Sequence, residues 1–344
     1  MCRTAPTNSI CLSQMPRRAF LASIAGGLLA VPLAAEAQPA AALPRVGHLA
    51  IAGSTSTPQP PMENWNAFLA GLGHEGYAEG KNFVFEHRDA RNRPELFRAA
   101  AVELVRANVA VIFARGGHAV RAAKDATNTI PIVAIDLETD PIVAHFVQSL
   151  PRPGGNVTGM FLDLAELSGK HMEFLRELIP RLSRLAVVGD PEINVSQFRA
   201  TEVAGRVLSI KVQTIEIRRS DDVGDAFRLA VRDNVGALLL LSSPLVLAHR
   251  RQIAALAVKH RLPTMFVYRS HVDAGGLLSY GPNLPDMFHH CGVYVAGVLG
   301  GRKPAGMPVE RPTMFELIIN LKTAKALGLT IPPSLLQRAD QVIE

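Results

Sequence analysis

From residue 45 onward, short runs of apolar and β-branched residues alternate with longer stretches whose apolar positions recur every three or four residues. This rhythm predicts strands alternating with amphipathic helices, the mark of βαβ units around parallel sheets. Residues 45–52, 82–86, 109–114 and 130–135 read as strands. Trp65, Phe68, Leu69 and Leu72 form the buried stripe of a helix after the first strand, and 99–107 and 119–127 are helical. A short helix over 142–150, closed by Pro151-Arg152-Pro153-Gly154-Gly155, ends this series.

The alternation then begins again. Residues 157–162 form a strand leading out of the first series, and 164–182 an amphipathic helix of the second. Strands at 185–188, 212–217, 237–241 and 264–267 follow, with helices at 195–208, 223–231 and 245–260. A simple two-domain chain would stop there. This one continues with an extended 275–281, a helix over 286–299, a Pro/Gly-rich connector over 301–312, a strand over 314–319, a helix over 321–327 stopped by Gly328, and a final turn opened by Pro332-Pro333. Passages near 156–163, 272–282 and 306–314 would carry the chain between two bodies three times. The fold class expected is therefore α/β: two doubly wound parallel-sheet lobes joined by a three-stranded hinge that permits closure.

The start of the chain has a different pattern. Arg3, Arg17 and Arg18 precede an apolar stretch over 19–35, and Ala35-Glu36-Ala37 has the small-x-small spacing that signal peptidase cuts after. The expected divisions are a signal peptide at 1–37, a first lobe of 44–157 with 281–307, and a second of 158–276 with 312–344. Arg17-Arg18-Ala19-Phe20-Leu21 matches the twin-arginine export pattern, although a basic stretch before an apolar one serves ordinary Sec export too. An uncleaved anchor would need about 20 apolar residues, more than this run contains. The expected product is a soluble periplasmic protein. Cys2 and Cys11 would leave with the signal, so Cys291 alone remains and no intramolecular disulfide forms.

Composition adds exclusions. The formal net charge is +6, falling to +4 once three arginines and one glutamate leave with residues 1–37. That mild excess is spread along the chain without an aromatic-basic cluster, so no nucleic-acid partner is expected. No Gly-x-Ser-x-Gly elbow, His-Glu-x-x-His or Gly-x-Gly-x-x-Gly occurs at a suitable place. Residues 76–81 miss the phosphate-loop spacing by one residue and have Asn82 where Ser or Thr is needed. His289-His290-Cys291 sits at adjacent helical positions that point about 100° apart, which suits a structural role better than a metal site. Neither an enzyme, a cofactor nor a bound metal is expected.

In open α/β sheets, ligands bind beyond the carboxyl ends of the strands, where helix N-termini present free N–H groups. In the first lobe this selects Gly53, Ser54 and Thr55, then Gly116, Gly117 and His118, then Asp136. In the second it selects Asp190 and Asn194, Ser242 and Ser243, and Tyr268. Ser54 and Thr55 could hold a carboxylate, or equally cap a helix. Asp136 could accept an ammonium group, whereas Glu138 and Asp140 read better as a solvated, capping loop. Tyr280, in the returning connector, either stacks on the ligand or packs the hinge.

Four stretches carry a resemblance over nearly the whole exported part. They are Arg17-Arg18-Ala19-Phe20-Leu21, Pro151–Gly159 (PRPGGNVTG), Gly275–Gly281 (GGLLSYG), and the closing PTMFELIINLKTAKALGLTIPPSLLQRADQVIE. Together they resemble the tryptophan/tyrosine-type family of ABC-transporter substrate-binding proteins. The resemblance implies a type I periplasmic-binding-protein fold and a monomer that traps a small-molecule solute between its lobes and delivers it to an ABC permease in the inner membrane. With the mixed polar and aromatic candidates above, it suggests an amino acid or an aromatic carboxylate. A sensory ligand-binding domain shares the fold and is the alternative, ahead of a periplasmic enzyme. Two loops depart from the family's commoner pattern: Arg115-Gly116-Gly117-His118 replaces a small-residue turn, and Gly189-Asp190-Pro191-Glu192 replaces an Asn-Pro-rich loop.

Overall fold

A computed structural model describes residues 43–50, 62–90 and 93–344. In chain order the first elements are β1 (Arg45–Ala50), α1 (Met62–His74), β2 (Val84–Asp89), α2 (Phe97–Arg106), β3 (Val111–Arg115), α3 (Gly117–Ala126), β4 (Ile132–Asp136) and β5 (Val157–Phe161). Then come α4 (Ser168–Leu178), β6 (Arg184–Gly189), α5 (Val195–Val207), β7 (Lys211–Glu216), α6 (Asp222–Arg232), β8 (Ala237–Leu240), α7 (Pro244–Ala248), α8 (Arg250–His260), β9 (Thr264–Phe266) and α9 (Arg269–Asp273). The last are β10 (Leu278–Pro282), α10 (Leu284–Leu299), β11 (Val309–Glu310), β12 (Phe315–Asn320), α11 (Leu321–Ala326), α12 (Pro333–Arg338) and β13 (Gln341–Ile343).

Two sheets organise these elements. The first runs β11-β5-β4-β3-β1-β2, parallel throughout. The second runs β13-β12-β10-β9-β8-β6-β7, parallel except where β10 meets β12. Both sheets are covered on both faces, which explains the unbroken apolar runs of β3, β4, β5 and β8. On the first sheet, Val46, Val111, Phe113 and Val133 face α1 and α10, while Ile112, Ala114, Ile132 and Ala134 face α2 and α3. On the second, Leu185, Val187 and Leu239 face α4 and α5, and Ala186, Val188 and Leu238 face α6 and α8.

The chain passes between the sheets three times. It leaves β5 through a single 3-10 turn, Leu164–Leu167, opened by Asp163, whose carboxylate accepts from Ala165 N at 2.9 Å. It returns from β10 into α10, where the Asn283 side chain accepts from Asp286 N at 2.8 Å and starts the helix. It crosses last between β11 and β12. Thr158 on β5 donates through its hydroxyl to Met307 O at 2.8 Å, fastening the outgoing strand to the last connector. Tyr294 on α10 donates to Pro308 O at 2.7 Å and fixes the same connector from the helix side.

Several expected elements differ. Residues 142–150 form turns, not a helix: Asp140 accepts from Ile142 N and Val143 N, and His145 takes a left-handed φ of 57° that ends any helical turn. Burial of Phe146 and Val147 in the α2/α3-side core holds that bend. The expected helix over 164–182 becomes the 3-10 turn followed by α4, and Pro180 lies just beyond its end. The helix over 245–260 is broken at His249 into α7 and α8. The short strands β11 and β13 and the helix α9 had no counterpart in the pattern, being too brief for periodicity to register. The expected signal over 1–37 lies outside the described residues.

Candidate functional site

The carboxyl ends of β3 and β4 in the first sheet face the loops after β6 and β8 in the second. Between them lies a cavity of about 480 Å³. Gly116, Gly117 and His118 line it from the turn where β3 becomes α3. Gly116 holds φ 85°, a conformation that favours glycine, and its N–H donates to Ile135 O at 2.8 Å. Gly117 leaves room for the neighbouring loop, since a Cβ there would fall 2.6 Å from Thr139 Oγ1. The exposed His118 ring is stacked on Phe97 with centroids 6.4 Å apart.

The β4 loop brings carboxyl groups to the same place. Asp136 is 1% exposed, accepts from Glu138 N at 3.1 Å through Oδ1, and buries Oδ2 without a well-aligned partner. Burial raises its pKa, against hydrogen bonds from Thr139, Glu138 and Gly117. Glu138 lines the cavity and is also raised, first by burial and then by the neighbouring Asp136 charge. The two carboxyl groups are close enough that a charge on one opposes a charge on the other. Across the gap, the half-buried Tyr268 bonds to the Ser242 side chain and feels both carboxylates, and burial pushes its phenol pKa up.

The remaining residues selected from the second sheet hold loops in place. Asn194, fully buried, accepts from Asp190 N at 2.8 Å and donates to Ser242 O at 2.9 Å, tying the β6 and β8 loops together. Asp190 accepts from Glu192 N, and Ser243 caps α7 by accepting from Val246 N at 3.2 Å. The side chains that reach the cavity from those loops are Glu192, Ile193 and Pro244. Tyr280 is placed elsewhere: its ring lies on Phe174 at 5.0 Å and is stacked on Phe315 at 5.9 Å, in the packing beside the crossings. Gly53, Ser54 and Thr55 lie outside the described residues.

Much of the wall was not among the selected positions, including Arg115, Phe97, Phe146 and Phe288. Arg115 ends β3, so the strand-end rule that selected Gly116 could have reached it. The guanidinium lies over the Phe288 ring, 5.0 Å from its centroid, and burial lowers its pKa to about 10, so it remains charged at neutral pH. The aromatic residues come from α2, the 142–150 turns and α10, and no local pattern links them. Phe146 is itself covered by the Arg121 guanidinium at 4.6 Å.

The arrangement is a largely apolar, aromatic cavity with two arginines, Arg115 and Arg121, and carboxyl groups from both sheets, suited to holding a small organic molecule. Among the described residues no group of three or more His, Cys, Asp or Glu could hold a metal ion. No helix among them is long and apolar enough to cross a membrane.

The chain is similar to a tyrosine-binding protein of Clostridioides difficile, 26% identical over 265 residues, covering 76% of this chain and 75% of that one. A conserved domain protein of Vibrio cholerae superposes with a TM-score of 0.78 at 27% identity, over 87% of this chain and 99% of its own. The ABC domain of Streptococcus pneumoniae solved with L-Trp superposes at 0.77 over 88% of this chain and 100% of its own; at 22% identity it speaks for the fold. The profile of one family, described as ABC transporter substrate binding protein, matches residues 60–343. With two parallel-dominated sheets, three crossings and a cavity between strand ends, the chain belongs to the family of ABC transporter substrate-binding proteins.

Proposed function

We propose that this protein is exported, captures a small organic solute between its two sheets by closure about the three crossings, and hands it to an ABC permease in the inner membrane. The observation that carries the reading is the cavity between the carboxyl ends of two separate sheets, with walls drawn from both. Closure would then seal the solute from water, and opening would release it. Family membership favours transport over catalysis, and the export pattern of residues 1–37 suits a periplasmic location.

An amino acid or an aromatic carboxylate is the solute class the site favours. Phe97, Phe146 and Phe288 offer surface to a ring, Arg115 offers a positive charge, and Glu138 with Asp136 offers hydrogen-bonding partners for an amino or hydroxyl group. The names of two relatives, which bind tyrosine and L-Trp, point the same way.

A thermal-shift panel of amino acids, aromatic acids, sugars and nucleosides tests this. The true solute raises the melting temperature with dose, adding about 2.7 kcal/mol at about 100 times its dissociation constant. A panel in which nothing moves the transition would remove the reading.

A further inference from the structure

Arg115 is an ionised group without an ionic partner. Among the described residues, no carboxylate forms an ion pair with it and no carbonyl accepts from it; its surroundings are the Phe288 ring and the uncharged Cys291 and His48 side chains. Exposed arginines of this chain do find partners, as Arg338 does in Glu177 and Arg311 in Glu166. The cavity's own acidic groups do not serve Arg115: Asp136 and Glu138 interact with each other and Asp136 with Thr139, and none of the cavity carboxylates, Glu192 included, forms an ion pair with it. A half-buried, uncompensated guanidinium is unfavourable where water is scarce. The lowered pKa reports the same penalty, with burial as its largest cause. A site that keeps such a charge at the end of a strand, facing a cavity, suits a counter-charge that arrives from outside.

The geometry narrows that visitor. The Arg115 guanidinium lies over the Phe288 ring and lines the cavity, and its N–H donors lie in its own plane, off the ring's π-face. A flat, two-oxygen acceptor matches that edge by paired hydrogen bonds. The neighbouring wall offers Ile135, Leu137 and the Phe97 and Phe146 rings as surface for a ring.

We infer that Arg115 is the specificity-determining residue of the cleft and that the solute is an aromatic acid bound through its carboxylate to this guanidinium. The inference rests on the proposed solute-capturing role and deepens it. The acid's ring lies among the phenylalanines, and its charge neutralises Arg115. Losing the acid's charge removes the interaction as completely as losing the guanidinium.

The test pairs each acid with its uncharged twin. Benzoate, phenylacetate, indole-3-acetate, L-tyrosine and L-tryptophan are titrated calorimetrically against the purified protein beside their primary amides. The expected result is an acid that binds and an amide that binds about 30-fold or more weakly, the usual loss when one partner of a buried charge pair is removed. Arg115→Gln should abolish the acid–amide difference, and Arg115→Lys should restore part of it. An amide that binds as well as its acid overturns the inference, as does an Arg115→Gln protein that keeps its preference for the acid. Should Arg115→Gln fail to fold, the acid–amide comparison on the unaltered protein decides alone. If none of the acids binds, the inference falls, and sugars and nucleosides decide the capture reading separately: one that binds leaves it standing, whereas none brings down both.

Discussion

Asn194 does the work of two loops with one side chain. Its amide accepts from the Asp190 N–H and donates to the Ser242 carbonyl, and no solvent reaches it. Asn194→Ala removes the partner of two partly buried backbone groups, and should lower unfolding free energy by about 1–3 kcal/mol. It should also weaken solute binding, because Ile193 is carried by the same loop. Denaturant unfolding and calorimetry check both; a loss below about 1 kcal/mol would mean that water replaces the amide. At this scale the sequence was partly legible. Gly116, Gly117 and His118 were selected by the strand-end rule and do line the cavity. Asn194, Ser243 and Tyr280 were selected for their chemistry, and the structure engages them in loop bracing, helix capping and crossing-side packing. A polar residue near a strand end has several possible partners, and sequence does not say which is nearest.

At the scale of elements, the contact between α1 and α10 is a close approach of two backbones. A Cβ on Gly292 would lie 2.2 Å from Phe68 O, and one on Gly71 would lie 2.1 Å from His289 O. Both obstacles are backbone atoms, so no rotamer change relieves them. Helix propensity alone says that Gly292→Ala stabilises α10 by about 1 kcal/mol. The contact says the reverse, and we expect a net loss of about 1–3 kcal/mol with a lower melting temperature. A rise in melting temperature would show that the helices can part without cost. Long elements of this kind were readable from periodicity, as the stripe of Trp65, Phe68 and Leu72 illustrates. The 142–150 bend was not, because its apolar residues are equally spaced for a helix, and burial of Phe146 decides otherwise.

At the scale of the whole molecule, buried imidazoles couple folding to pH. His171 on α4 donates through Nε2 to Tyr280 O, 2.7 Å away on β10, and burial lowers its pKa to about 4. His271 is held at about 4 for the same reason, and His48 is lowered as well. Unfolded, each would protonate near 6.5, so the folded form resists a proton that the unfolded form accepts. Stability is therefore complete above about pH 6.5 and falls as pH drops toward 4, by about 1.4 kcal/mol per unit for each group. Asp136 and Glu138 oppose this, since raised carboxyl pKa values give stability that is lost as pH rises. Comparing the protein with His171→Gln isolates one imidazole: the destabilisation caused by the substitution should shrink by about 2 kcal/mol between pH 6.5 and 5. Equal values at both pH points would place the His171 proton uptake outside this window.

What the sequence by itself determined is the alternation of strand and helix, its two repeats and its returning tail. Those follow from local periodicity and from turn residues, which act over a few positions. The three passages between the two series are the part with structural consequence, since they bring two sheets to face each other across one cavity. Only the tertiary structure decided what lines that cavity. Phe97, Phe146 and Phe288 are separated by dozens of residues and meet through packing, and nothing in the local sequence around Arg115 tells that it lines a cavity over an aromatic ring without an ion-pair partner among the described residues. Periodicity carries a residue's face but not its neighbours across the fold, and it is those neighbours that make a charge paired or waiting.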